Sequence, residues 1–251
     1  MRGRDHFPPT IVRWSQVLSR AVLVPMLVLL ALAISTIATA DEFTKARQAI
    51  EAEQYRIAVR LLRPLAKMGD PRAQHLLGFA YYAGEGVGYD YGKAQIWLER
   101  AVAQKYTPAF APLGQLLLKI GKGHNARGLK LIRIAVSRND AYAQKALGVL
   151  YFVGQGGVPK DLEKSRQLLL KASAKKQKDA AFFLAYWYSD SHGKKPDYME
   201  LLKWVIIDAR IGTGTAAAIH RETALKHLTE SQVAEAKRRA SAWLKAHGEK
   251  P

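Results

Sequence analysis

Apolar residues recur four apart over short stretches of this chain, and the stretches themselves recur about every 36 residues. Ala73, Leu77 and Tyr81 share one face of a helix. The phrase Ala73-x-x-x-Leu77-Gly78-x-x-Tyr81 returns as Ala109-x-x-x-Leu113-Gly114, as Ala143-x-x-x-Leu147-Gly148-x-x-Tyr151 and as Ala180-x-x-x-Leu184-Ala185-x-x-Tyr188, at steps of 36, 34 and 37 residues. A fixed period in that range describes one supersecondary unit stacked on copies of itself, because a single unit cannot bury its apolar face alone.

Within the unit the pattern predicts two helices. Pro71 suits a first helical turn, Gly84-Glu85-Gly86-Val87-Gly88 breaks the first helix, and Asp90 is placed to cap a second whose inner face is Ala94, Trp97 and Ala101. Upstream, Tyr55, Ala58, Leu61, Leu62 and Ala66 form the second helix of a leading unit whose first helix is Phe43 to Glu53. Downstream, Gly212-Thr213-Gly214-Thr215 is read as a loop or hinge. Thr229 with Gln232 then makes a capping box for a helix with one apolar stripe, Val233, Ala236, Ala240, Trp243 and Leu244. Its other face is highly charged, as a terminal cap requires.

These residues resemble the Sel-one-like repeat family, a relative of the tetratricopeptide repeat. Ala73, Leu77, Gly78, Tyr81, Gly84, Gly86, Val87, Asp90, Lys93, Ala94, Trp97 and Ala101 follow the family phrase in full. The third unit keeps Ala143, Leu147, Gly148, Tyr151, Gly154, Gly156, Val158, Asp161, Lys164 and Ala172, with Ser165 and Leu168 in place of alanine and tryptophan. The second unit departs at Leu117 and has a short loop, Gly121-Lys122-Gly123-His124, while the fourth retains Tyr188, Asp197 and Trp204 but lacks the glycine turn. The resemblance implies an all-α, right-handed superhelical solenoid of helix-turn-helix repeats with a C-terminal capping helix. The chain then divides into a signal segment at 1–40, leading helical half-repeats at 41–72, repeats at 73–210, and a loop with the capping helix at 211–251.

Composition adds a location. Arg2, Arg4, Arg13 and Arg20 precede an uncharged run from Ala21 to Ala40 that ends Ala38-Thr39-Ala40 before Asp41-Glu42. This is the order of an export signal, cleaved at Ala40-Asp41 to release a periplasmic or secreted protein. The second reading is an uncleaved anchor at Ala21 to Ala40 facing the periplasm. The chain has no cysteine, which excludes a lipoprotein anchor, disulfides and thiolate chemistry. Its formal net charge is +18; removing the first forty residues takes away four arginines and one aspartate and leaves +15. In an exported chain that charge points to anionic envelope components and acidic proteins rather than nucleic acid, or serves solubility.

No motif carries catalysis. The loop Gly84 to Gly88 lacks the strand and the GK[ST] ending of a phosphate loop. Asp190-Ser191-His192 has the residue types of a hydrolase triad but no nucleophile elbow. His220 and His227 lack a zinc-ligand arrangement. No metal or cofactor is expected.

The candidate site is a concave groove. If the first helix of each unit lines it, as in the tetratricopeptide relatives, the positions off the packing face point inward. These are Arg72, His75, Phe79 and Tyr82 from unit one, Gln115 and Lys119 from unit two, Tyr142, Lys145 and Phe152 from unit three, and Phe182 and Tyr186 from unit four. Interleaved aromatic and basic groups suit an acidic or amphipathic peptide, or an anionic glycan. The expected role is a non-catalytic adaptor or scaffold in the bacterial cell envelope that binds a protein partner. Resemblance to envelope members of the family implies complexes for secretion, polysaccharide export, motility or signalling. The alternative is a binding protein for acidic polysaccharide or cell-wall polymer.

Overall fold

The computed structural model describes residues 25–26, 39–121, 123–189, 195–212 and 214–249, so most of the export-signal reading at 1–40 and the Asp190-Ser191-His192 triplet lie outside the described residues. Among them the fold is all helix. Residues 39–51 (α1) and Tyr55–Lys67 (α2) form the leading pair. Then come Pro71–Ala83 (α3) with Tyr91–Ala103 (α4), Phe110–Ile120 (α5) with Asn125–Ser137 (α6), Ala141–Val153 (α7) with Leu162–Ala174 (α8), and Ala180–Ser189 (α9) with Tyr198–Ile211 (α10). Thr215–Lys226 (α11) and Glu230–Ala246 (α12) complete the chain of helices. Partners in each pair pack on one another, and each pair packs on the next.

Five aspartates start these helices. Asp70 and Asp140 cap the first helix of their units, accepting from the backbone N–H groups of Arg72 and Ala73 and of Ala143. Asp90, Asp161 and Asp197 cap the second helix, accepting from Lys93, Lys164 and Glu200. Each satisfies donors that the first turn leaves without a helical acceptor. The sequence pattern points to the cap at Asp90, whereas those at Asp70 and Asp140 emerge only from the structure.

The repeated glycine sets how closely the helices of a pair approach. A Cβ at Gly78 would lie 2.8 Å from Leu98 Cγ, and one at Gly114 would lie 2.6 Å from the Gly128 carbonyl oxygen. The glycine turn has a separate job. Gly86 has φ 71°, and a Cβ there would lie 2.4 Å from the backbone carbonyl of Tyr55. The loop after α3 therefore presses on the start of α2, tying one unit to the one before it.

A second device recurs with the period. The turns between units place Gly69, Lys105, Asn139 and Lys176 in the left-handed region. The side chain one residue before each of the last three reaches back to the carbonyl of the previous left-handed residue: Gln104 to Gly69 at 2.9 Å, Arg138 to Lys105 at 3.5 Å, and Lys175 to Asn139. These bonds run between neighbouring turns and bind unit to unit where no helix reaches.

The core changes along the array. In the first units it is a series of small clusters rich in alanine and leucine, such as Val59, Leu62, Leu65, Ala73 and Leu77 around Phe43 of α1. Toward the C-terminus it merges into one cluster spanning α8 to α12, centred on Trp204, which is 1% exposed. The last helix has the expected capping box, with Thr229 and Gln232 exchanging bonds, and buries Ala236, Ala240 and Leu244.

One stretch differs from the sequence reading. The loop beginning at Gly212 is short, and α11 occupies Thr215–Lys226. Only Ala216 and Ala224 of α11 are buried, so no stripe of large apolar residues marks it in the sequence. Its start is held from below: the buried Asp208 of α10 accepts from the Ala216 N–H at 3.0 Å.

Candidate functional site

Helices α1, α2, α3, α5 and α7, together with the turn at 177–179, line an open-sided cavity of about 480 Å³. That is within the range of small-ligand and peptide-anchor sites. Ala58, Val59, Leu62 and Leu76 form its apolar floor, and Pro108 and Pro112 contribute the side nearest α5.

Four of the groove residues read from the sequence line this cavity: His75, Phe79, Tyr142 and Lys145. The rings of Phe79 and Tyr142, on α3 and α7, have centroids 6.2 Å apart in an edge-on arrangement. The array curves enough for units one and three to meet across unit two. Gln115 of α5 completes the contact by accepting a hydrogen bond from the Tyr142 hydroxyl. The aromatic track continues from Phe79 to Tyr82 at 6.1 Å and from Tyr82 to Tyr91 at 6.1 Å. The Lys119 ammonium sits 5.7 Å and 5.3 Å from the Tyr82 and Tyr91 rings.

Phe152 and Tyr186 belong to a second aromatic group. Their centroids are 5.4 Å apart, and Tyr186 approaches His220 of α11 at 5.8 Å. Phe182 packs against the C-terminal core and against Phe183. Arg72 also lies apart from the cavity: it forms an ion pair with Asp70 at 2.6 Å and covers the Phe43 ring at 4.2 Å.

The cavity also holds residues that the helix-face argument missed. Tyr55 enters from α2, Glu85 from the glycine turn, and Asp140, Lys178 and Asp179 from the turns between units. Residues on turns have no helical register to mark them, so only the stacking of units shows that they converge. Lys145 is held by Asp179 at 3.3 Å, and its ammonium lies 5.2 Å from the Tyr142 ring.

Burial shapes the titration of this lining. Desolvation lowers the His75 pKa to about 4, so its imidazole is neutral near pH 7. It raises the Tyr142 phenol, with Tyr82, Asp140 and Asp179 adding to the shift. Burial also raises the carboxyls of Asp140 and Glu85, opposed at Asp140 by the Ala143 amide and at Glu85 by the charge of Lys178.

The other candidate chemistry is dispersed. His220 contacts Tyr186, whereas His227 stacks on Tyr198 at 4.2 Å. Among the described residues, no group of three or more histidine, aspartate or glutamate side chains is arranged to hold a metal ion. None of the described helices is long and apolar enough to cross a membrane.

The pattern of the Sel1 repeat matches residues 71–106, 141–176 and 178–204. The unmatched interval contains α5 and α6, the unit with the short loop. Over 110 residues, 44% of this chain, the sequence is 34% identical to the uncharacterized protein NMB1327 of Neisseria meningitidis serogroup B, of which it spans 22%. Among solved structures, it is similar to c5321, a protective antigen of uropathogenic Escherichia coli displaying an SLR fold. The TM-score is 0.67 at 22% identity, covering 83% of this chain and 46% of that one. A Sel1 repeat protein from Oxalobacter formigenes gives 0.57 at 22% identity over 80% of this chain and 84% of that one. One from Klebsiella pneumoniae gives 0.53 at 17% identity over 79% and 93%. Folds of this kind generally serve as protein–protein interaction scaffolds, and the family is typically non-catalytic. On the three matched spans and the shared architecture, the chain carries Sel1 repeats set in a helical solenoid of the Sel1-repeat fold.

Proposed function

We propose that this chain is a non-catalytic adaptor of the bacterial cell envelope that holds a segment of a protein partner in the cavity between its first and third repeats. The observation that carries this reading is the convergence of Phe79, Tyr142 and an apolar floor from separate helices on one cavity of about 480 Å³. Rigid aromatic groups on packed helices give contact area at small entropic cost, the usual composition of binding hot spots. Tyr82, Gln115 and Lys119 extend the site from one side, and Phe152 with Tyr186 forms a further contact along the array. Arg72 and Phe182 act through the packing around them. The arginines and apolar run of residues 1–40 support export, and the glycine turns and turn-to-turn hydrogen bonds support a rigid platform.

The test is photocrosslinking in the native envelope from probes at positions 79 and 145. A discrete protein adduct that disappears when Phe79 and Tyr142 become alanine is the expected result. A polydisperse adduct removed by glycan-degrading enzymes overturns the reading in favour of an acidic polymer. Adducts confined to cytoplasmic proteins overturn the envelope location.

A further inference from the structure

The chain carries a net charge of +18, yet the cavity does not share that sign. Glu85, Asp140 and Asp179 face it, against Lys145 and Lys178. Lys145 and Asp179 neutralise each other at 3.3 Å. Two carboxylates then remain in the lining against Lys178, with the charge of Lys175 reaching Asp140 from outside it, and His75 is neutral. Asp140 uses one oxygen to accept from the Ala143 amide at 2.7 Å. Neither Glu85 nor Asp140 has an ion-pair partner within 4.0 Å among the described residues. The rings of Tyr55, Phe79 and Tyr142 line the same space.

We infer that the partner segment places a cationic side chain, lysine or arginine, in this cavity between the carboxylates of Glu85 and Asp140 and the aromatic rings. The inference rests on the cavity being the partner site. A partly dehydrated carboxylate with no cation in contact with it gains when one arrives, and aromatic faces add cation–π attraction. An acidic anchor meets two carboxylates at short range. The positive surface elsewhere steers acidic flanking residues during approach, but screening over about 8 Å at physiological salt leaves the choice of anchor to the cavity itself. The partner is thus acidic around its contact and basic at it, where the sequence pattern of lysines and aromatics suited an acidic or amphipathic peptide, or an anionic glycan.

The test uses random dodecapeptides displayed on phage and selected against the full chain. Selected peptides are titrated against the unaltered chain, Phe79→Ala, and a double variant with Glu85→Gln and Asp140→Asn. Asparagine at 140 still caps α7, and thermal melts check that both variants remain folded. The expected result is peptides with a lysine or arginine anchor that bind the double variant about tenfold more weakly. Changing that anchor to methionine should cause the same loss, and the two losses should not add. Peptides lost to Phe79→Ala but indifferent to the double variant overturn the cationic anchor and leave the cavity as the binding site. Peptides indifferent to both variants, or no selected peptides at all, overturn the cavity as a peptide site and this inference with it.

Discussion

Trp97 and Trp204 occupy the same place in the repeat, each seven residues after the aspartate that caps its helix, Asp90 or Asp197. Their surroundings differ. Trp97 is half-buried beside small clusters, with the Arg100 guanidinium 4.6 Å above its ring. Trp204 is 1% exposed, because α12 packs on α10 and brings Trp243 to 5.5 Å edge-on. Its indole N–H has no hydrogen-bond partner among the described residues. One repeat position therefore serves as a surface contact in the first unit and as the centre of the largest core in the fourth. The helix packed beyond the repeat decides which, and not the repeat phrase.

Substitution of the two tryptophans tests this most strongly. Trp204→Ala should cost about 3–5 kcal/mol, the usual range for emptying a buried tryptophan site, and Trp97→Ala about 1–2 kcal/mol for a half-buried ring. Denaturant melts give the totals. Hydrogen exchange should place the Trp204→Ala loss in α9 to α12, since a stacked array transmits damage mainly between neighbours. Equal costs, or protection lost evenly along the chain, would break the comparison. Trp204→Phe sharpens it: losing the unpaired N–H offsets part of the lost volume, so the cost should be well below that of alanine.

The first units depend more on backbone approach than on large side chains. Gly86→Ala forces a Cβ onto the Tyr55 carbonyl at positive φ and should cost about 2 kcal/mol or more. Gly88→Ala, where a Cβ meets nothing within 4 Å, should stay within about 0.5 kcal/mol. Thermal melts of the pair separate a turn that needs glycine from one that only contains it.

The next effect is a pH dependence in the same region. His75 has a folded pKa of about 4, below its ordinary 6.5, through burial. Its contribution to stability is complete above the ordinary value. It is lost as pH falls from 6.5 toward 4, because the unfolded chain then binds a proton that the folded chain does not. The loss should reach about 1 kcal/mol by about pH 5.8, and His75→Gln should flatten that part of the profile when denaturation midpoints are compared between neutral and mildly acidic buffer. A similar cost, about 1 kcal/mol, is expected at the other end of the array for Thr229→Ala, which removes the capping box of α12.

The smallest expected effect is a gain. Lys105 adopts φ 59° in a turn where the leading unit has Gly69. Lys105→Gly should relieve left-handed strain and stabilise by about 0.5–1 kcal/mol, net of the added freedom of the unfolded chain. A melt that shows no gain would mean that lysine is held there by contacts the backbone angle does not reveal.

Much of this architecture was legible in the sequence. The four-residue spacing at Ala73, Leu77 and Tyr81 and the aspartate at 90 act within one helix pair, and the turn glycine Gly86 reaches only the pair before it, so their meaning is local. The cavity was legible only in part. Phe79, Tyr142 and Lys145 could be found by counting around helices, whereas Glu85, Asp140 and Asp179 lie on turns that the count passes over. Helix α11 left little trace because two buried alanines are a weak apolar signal.

The repeated helix pair, the cap at Asp90 and the glycine contacts are written into the order of residues, because they depend on interactions between positions at most one repeat apart. That Phe79 meets Tyr142 across an intervening unit, that the turn carboxylates face the same cavity, and that Trp204 is enclosed while Trp97 is not were settled by the packing of the whole chain. Each of those outcomes depends on the accumulated rotation of stacked units and on the helices packed beyond the last repeat. A local periodicity carries no record of either.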